Sequence, residues 1–205
     1  MFGNRVQDTA PTLSAPSANR TAISQLTSPS NPNEPTGNNK NCSEAALLGA
    51  LTKRRKSGVP SEQVASRIRQ LRAEAGLDPN NSNQGTTSEQ LATAARKEGL
   101  KATVYNGTAN ERTLRNTSQN GGESIVTVKN EIGGYHSLRV DHIIPGDRNR
   151  GGTGEDVAVL QDPARTDGTL IQKPLSEVAN SMREAGGHAV ALKDKGAEET
   201  VNRRT

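Results

Sequence analysis

Apolar residues are unevenly spread along this chain. From residue 1 to 41 the large ones are scattered without a period among Pro, Asn, Ser and Thr, and five of the ten prolines fall here (Pro11, Pro16, Pro29, Pro32, Pro35). Such a stretch cannot bury enough surface to offset the entropy of ordering it, so residues 1–37 are expected to form a disordered leader. At Cys42 the pattern turns helical. Good helix formers follow, Leu47, Leu48 and Leu51 share one side, and Lys53-Arg54-Arg55-Lys56 with Gly58 closes the run as a helix C-terminus favours. A second helix is expected from Ser61, with Val64, Ile68 and Leu71 in period and Gly76 as its stop. A third opens on the capping box Thr87-Ser88-Glu89-Gln90 ahead of Leu91 and Ala95.

The second half alternates with a period of two. Strands are predicted at Ala102–Tyr105, Ser124–Val128, Tyr135–Ile144, Val157–Gln161, Thr169–Gln172 and Ala189–Leu192, separated by turn signals such as Asn106-Gly107, Asn120-Gly121-Gly122 and Gly133-Gly134. One further helix around Leu175, Val178 and Met182 interrupts them and ends at Gly186-Gly187. Helices first and antiparallel strands afterwards make an α+β domain. Its expected limits are 38–193, followed by a flexible charged tail over 194–205.

Composition narrows the picture. Only 30% of the 205 residues are hydrophobic, and the rings are Phe2, Tyr105 and Tyr135, with no Trp. The core must therefore be built from Leu, Ile, Val and Ala. Stacking of nucleic-acid bases on aromatic rings is poorly supplied. A mean hydropathy of −0.77 and the lack of any long apolar run exclude a membrane-spanning helix. One cysteine excludes an internal disulfide. Three histidines and one cysteine without paired ligand spacing argue against a zinc site, and no cofactor or metal is expected. The charge of +4, the basic run 53–56 and Arg67, Arg69 and Arg72 leave open a basic module that binds an anionic partner.

The candidate chemistry starts at Cys42, between an Asn-rich loop and a helix start. Free backbone N–H groups and the helix dipole stabilise a thiolate there; the alternative is a small buried apolar residue. An acid/base partner must be a histidine. If the strands Tyr135–Ile144 and Val157–Gln161 form a hairpin in which Ile144 faces Gly154, His136 lies opposite Asp162 and His142 opposite Asp156. His136, Leu138, Val140, His142 and Ile144 would then share one face. Spacing does not choose between the two pairs. Gly133-Gly134 leaves room beside His136, whereas His142 leads into a long Gly-rich loop, so His136 with Asp162 is preferred.

Cys at a helix start, His at the head of a strand and Asp162-Pro163 closing the next strand resemble the papain-like cysteine peptidases. The likeness is to the branch that includes the peptidase domains of bacteriocin exporters. It rests on Ser124-Ile125-Val126-Thr127-Val128, His136-Ser137-Leu138-Arg139-Val140 and Val157-Ala158-Val159-Leu160-Gln161-Asp162-Pro163, and it extends over roughly residues 38 to 192. The resemblance implies a helical subdomain carrying the Cys, packed on an antiparallel sheet carrying His and Asp. It also implies Cys42 as nucleophile, His136 as acid and base, and Asp162 as orienting residue. The family's oxyanion-hole Gln is missing before the Cys, and Asn38, ahead of Asn39 and Asn41, is the expected substitute donor. No tryptophan stands near the His.

Such a site cleaves peptide bonds; a glutamine deamidase of the same fold is the alternative, and the non-catalytic basic module a second. The leader resembles the export signals of bacterial effectors and has no Sec-type signal peptide. The expectation is therefore a monomeric secreted effector or toxin, acting on a protein of a host or competitor cell in that cell's cytoplasm.

Overall fold

The computed structural model describes residues 40–55, 58–130, 134–147, 154–165 and 168–196. The leader, Asn38 and Asn39, the centre of the Gly-rich loop and residues 197–205 lie outside the described residues. The elements are α1 (Cys42–Arg55), α2 (Ser61–Glu74), α3 (Ser88–Lys97), β1 (Leu100–Tyr105), α4 (Glu111–Gln119), β2 (Glu123–Lys129), β3 (Tyr135–Ile144), β4 (Val157–Gln161), β5 (Leu170–Pro174), α5 (Leu175–Glu184) and β6 (Ala189–Asp194). The strands form one antiparallel sheet in the order β1-β6-β2-β3-β4-β5.

Both faces of this sheet are covered. Along β2, Ile125 enters one apolar cluster with α1, α2 and α3, while Val126 and Val128 enter a second with Leu114 of α4 and with Leu175, Val178 and Met182 of α5. Successive strand residues point to opposite faces, so one strand serves both cores. Neither cluster contains a buried ring; Tyr105 packs against the second from its edge.

Helix α1 departs from the expected one-sided pattern, because every residue from Ser43 to Leu51 is buried. Sheet lies on one side of it and helices on the other. Gly49 meets the Gln161 carboxamide so closely that a Cβ built there would stand 2.4 Å from Oε1. The capping box of α3 forms as expected, with Thr87 and Gln90 exchanging hydrogen bonds. Helix α4 was not expected. Its sequence ERTLRNTSQ buries only Leu114 and Thr117, too few apolar positions to show a period. Its readable signal is the Asn110 cap, whose Oδ1 accepts from the Thr113 N–H at 3.1 Å.

Of the basic run, Lys53, Arg54 and Arg55 at the end of α1 are engaged internally, and Lys56 lies outside the described residues. Lys53 bridges Glu123 and Asp141 at 3.2 and 3.0 Å, Arg54 meets Asp194 at 2.8 Å, and Arg55 meets Glu98 at 2.6 Å. Arg72 is no surface charge either, being 1% exposed.

Candidate active site

Cys42 is the first residue of α1, since the Asn41 carbonyl already accepts from the Ala45 N–H at 3.0 Å. The first N–H groups of a helix have no partner inside it, and Cys42 carries one of them. Arg72 holds this end of the helix in place. Its guanidinium donates to Asn41 Oδ1 at 3.0 Å, to Glu44 Oε1 at 3.2 Å and to the Gln84 carbonyl at 3.0 Å, and Thr86 donates to the same Glu44 oxygen. Burial pushes the Glu44 carboxyl up, against the Thr86 hydrogen bond and the Arg72 charge. A buried charge of this kind persists only with such partners. One clamp thus fixes the residue before the cysteine and the loop that leads to α3. The side chain of Asn41 belongs to that clamp.

The carboxylate is set by turn chemistry. Asp162 directly follows β4 and begins a turn with Pro163, in which the Arg165 N–H donates to the Asp162 carbonyl at 3.1 Å. The Ala164 N–H donates to Asp162 Oδ1 at 2.8 Å. Asp at the first and Pro at the second position is what such a turn favours. The same Oδ1 lies 2.6 Å from His136 Nε2.

The register that brings these two together differs from the expected one. Arg139 pairs with Gln161 and Val140 with Leu160, but His142 pairs with Val159, so Asp141 is a bulge. Continued from Arg139 and Gln161, this register sets Asp162 opposite Leu138, and His136 reaches the carboxylate diagonally, as long side chains can. The bulge also reverses alternation: Val140 and Ile143 both pack in the second cluster, so His142 does not share the face expected for it. Its ring is instead 2.9 Å from Asp141 Oδ2, while Asp156 meets Arg115 Nε at 2.6 Å.

The imidazole also acts on the Cys42 thiol through its charge and hydrogen-bonding capacity. Burial alone would raise the Cys42 pKa, but the hydrogen bond and charge of His136, with side-chain and backbone hydrogen bonds from Ser137, bring it below the ordinary thiol value. For His136 burial opposes protonation, and the Asp162 and Cys42 interactions overcome it, raising its pKa to about 9. Burial likewise works against Asp162, yet His136, the Ala164 N–H and Arg165 hold it below the usual carboxylate range. Both shifts run toward a thiolate beside an imidazolium.

Ser43 and Ser137 were not singled out from the sequence. Their hydroxyls share a buried 2.8 Å hydrogen bond that ties the first turn of α1 to β3. Small polar residues directly after Cys42 and His136 are the only signal that marks them.

The sulfur is not sealed under aliphatic side chains. Cys42 is partly exposed and, with His136 and Ser137, lines a cleft of about 960 Å³ whose other walls include Lys40, residues 85–89, Asn106, Asn130 and His188. Tyr135, 67% exposed, stands at this cleft and is the one Phe, Tyr or Trp among the described residues that line it. Among the described residues no group of His, Cys, Asp and Glu could hold a metal ion, and no helix is long and apolar enough to cross a membrane.

No protein-family model and no curated protein sequence matches the chain. Solved structures do. A Bacillus anthracis protein assigned as a C39-like peptidase aligns with a TM-score of 0.52 at 12% identity, over 76% of this chain and 90% of that one. The peptidase domain of Streptococcus ComA, a bifunctional ABC transporter of a quorum-sensing pathway, gives 0.46 at 19% identity over 76% and 93%. The Pseudomonas avirulence protein AvrPphB gives 0.40 at 9% identity over 76% and 92%. The Bacillus anthracis structure carries the assignment: this chain has the α+β fold of papain-like, C39-type peptidases.

Proposed function

We propose that the protein is a papain-like cysteine peptidase in which Cys42 is the nucleophile, His136 the acid and base, and Asp162 the residue that orients the imidazole. The single observation behind this reading is a cysteine at a helix N-terminus that shares a cleft and an electrostatic interaction with a histidine whose Nε2 is held at 2.6 Å by a carboxylate. The thiolate attacks the carbonyl carbon of the scissile bond, forming a C–S bond as the carbonyl oxygen takes the negative charge. The Cys42 backbone N–H and the Asn38 amide donate to that oxygen. His136 then gives its proton to the leaving amine, the C–N bond breaks, and an acyl-enzyme remains. Water that loses a proton to His136 attacks the thioester and releases the acid and the free thiolate.

Residues 38–193 form the catalytic unit in this reading, with 1–37 as leader and 194–205 as tail. The composition of the leader supports an exported bacterial effector or toxin, monomeric, that acts on a protein in the cytoplasm of a host or competitor cell. The test has two arms. Iodoacetamide labelling against pH should show Cys42 reacting well below the free-thiol value of about 8.5. The full chain incubated with a target-cell proteome should create new N-termini that the Cys42→Ala variant does not. A sulfur that reacts only above that value, with no new N-termini, overturns the reading. A gain of roughly 1 Da on a partner without cleavage would reassign the same thiolate chemistry to a glutamine side chain.

A further inference from the structure

The cleft holds a second polar assembly that the cleavage chemistry does not use. Glu89 in the first turn of α3, Asn106 after β1 and His188 before β6 all line it. Asn106 Nδ2 donates to Glu89 Oε1, and Asn106 Oδ1 lies 3.2 Å from His188 Nδ1. A carboxylate only accepts, so the amide orientation is set and His188 Nδ1 must carry the proton. The negative charge of Glu89 has a neutral amide as its partner and no Lys or Arg among the described residues.

The wall beneath it is prearranged. Arg72 holds the Asn81 and Gln84 carbonyls, Thr86 is tied to Glu44, and the Thr87–Gln90 box starts the helix. Besides Lys40, which makes no ion pair with Glu89, the remaining polar lining among the described residues is hydroxyl and amide, with Thr86, Thr87, Ser88, Thr127 and Asn130, and its largest aliphatic side chain is Ala185. A large apolar substrate residue finds only Tyr135 there. A cationic one finds an unneutralised carboxylate held in position, the arrangement in which charge-assisted hydrogen bonds form at least entropic cost.

We infer that Glu89, tethered by Asn106 and His188, is a subsite for a Lys or Arg side chain of the peptide substrate. This rests on the peptidase reading and names its substrate class. An acid in a first helical turn is also favoured by the helix dipole alone, and that simpler role predicts no substrate preference.

The test uses tripeptidyl acyloxymethyl ketones carrying Arg, norleucine or Glu at each position in turn. The rate of Cys42 alkylation, read by intact mass, is divided by the rate of the same variant with iodoacetamide. At one position Arg should exceed norleucine by about tenfold in the wild type. The advantage should vanish in Glu89→Gln and reverse toward Glu in Glu89→Lys. An absent Arg preference, or one that survives Glu89→Gln, overturns the subsite while leaving the peptidase reading intact. If Cys42 reacts with no electrophile, that reading fails instead. Fluorescence anisotropy of Arg-containing peptides on Cys42→Ala, with and without Glu89→Gln, then decides the subsite by itself.

Discussion

Strand β3 carries two histidines, each beside an aspartate, and the two pairs behave differently. His136 meets Asp162 from another strand at 2.6 Å, with the ring only 16% exposed. His142 meets its own chain neighbour Asp141 at 2.9 Å, with the ring half exposed. The first carboxylate is held by a turn, and the histidine it binds is raised to about 9. The second carboxylate is committed elsewhere: Lys53 stands 3.0 Å and Arg139 2.9 Å from it, in a charge cluster buried between α1 and the sheet. A His–Asp contact is therefore no mark of chemistry by itself. What distinguishes His136 is a second interacting group, the Cys42 thiol, and a place with it in the wall of an open cleft.

The comparison breaks most decisively at the sulfur and its base. Cys42→Ala and His136→Ala should each lower peptide cleavage on the order of 10⁴-fold or more, measured as new N-termini per unit time, because groups that act as a unit fail together. Asp162→Asn should cost roughly 10²–10⁴ in rate, and an NMR titration should find the His136 pKa well below its native value of about 9. A native-like His136 titration in Asp162→Asn would separate the aspartate from the histidine it is proposed to orient.

On the other side of the comparison, Asp141→Ala should act on stability. It leaves Arg139 buried with one acidic partner fewer, so denaturant unfolding should lose on the order of 3 kcal/mol, while cleavage per folded molecule persists. His142→Ala should be close to silent, within about 0.5 kcal/mol of the parent, as expected at an exposed site. Equal loss of activity from His136→Ala and His142→Ala would erase the distinction.

A pH profile sharpens it further. Cleavage should set in as Cys42 ionises below the ordinary thiol value and fall as pH passes about 9, where His136 loses the proton destined for the leaving amine. The stability linked to His136 carries the same sign. Its folded pKa lies above the ordinary value of 6.5, so the contribution is complete below 6.5 and lost as pH rises through about 9.

Local patterns were legible wherever a residue's role depends on its neighbours in the chain. The helix start at Cys42, the Thr87–Gln90 box and the strand end at Asp162-Pro163 rest on contacts within a few residues, and the limits of β3 and β4 follow alternation and the breakers around them. Helix α4 was hidden because one leucine and one threonine suffice to bury its inner face. The leader and the Asn38 donor remain expectations of the sequence alone.

The type of every element but α4, the helix start at Cys42 and the strand end at Asp162-Pro163 were written in the sequence, because capping, alternation and turn preferences act over short distances. Which histidine faces the sulfur was settled only when the sheet assembled. A single extra residue at Asp141 shifts the β3–β4 register and reverses the faces beyond it. Alternation specifies which residues share a face but not where a bulge interrupts them; here the bulged Asp141 faces Lys53 and Arg139, partners that only the folded chain assembles.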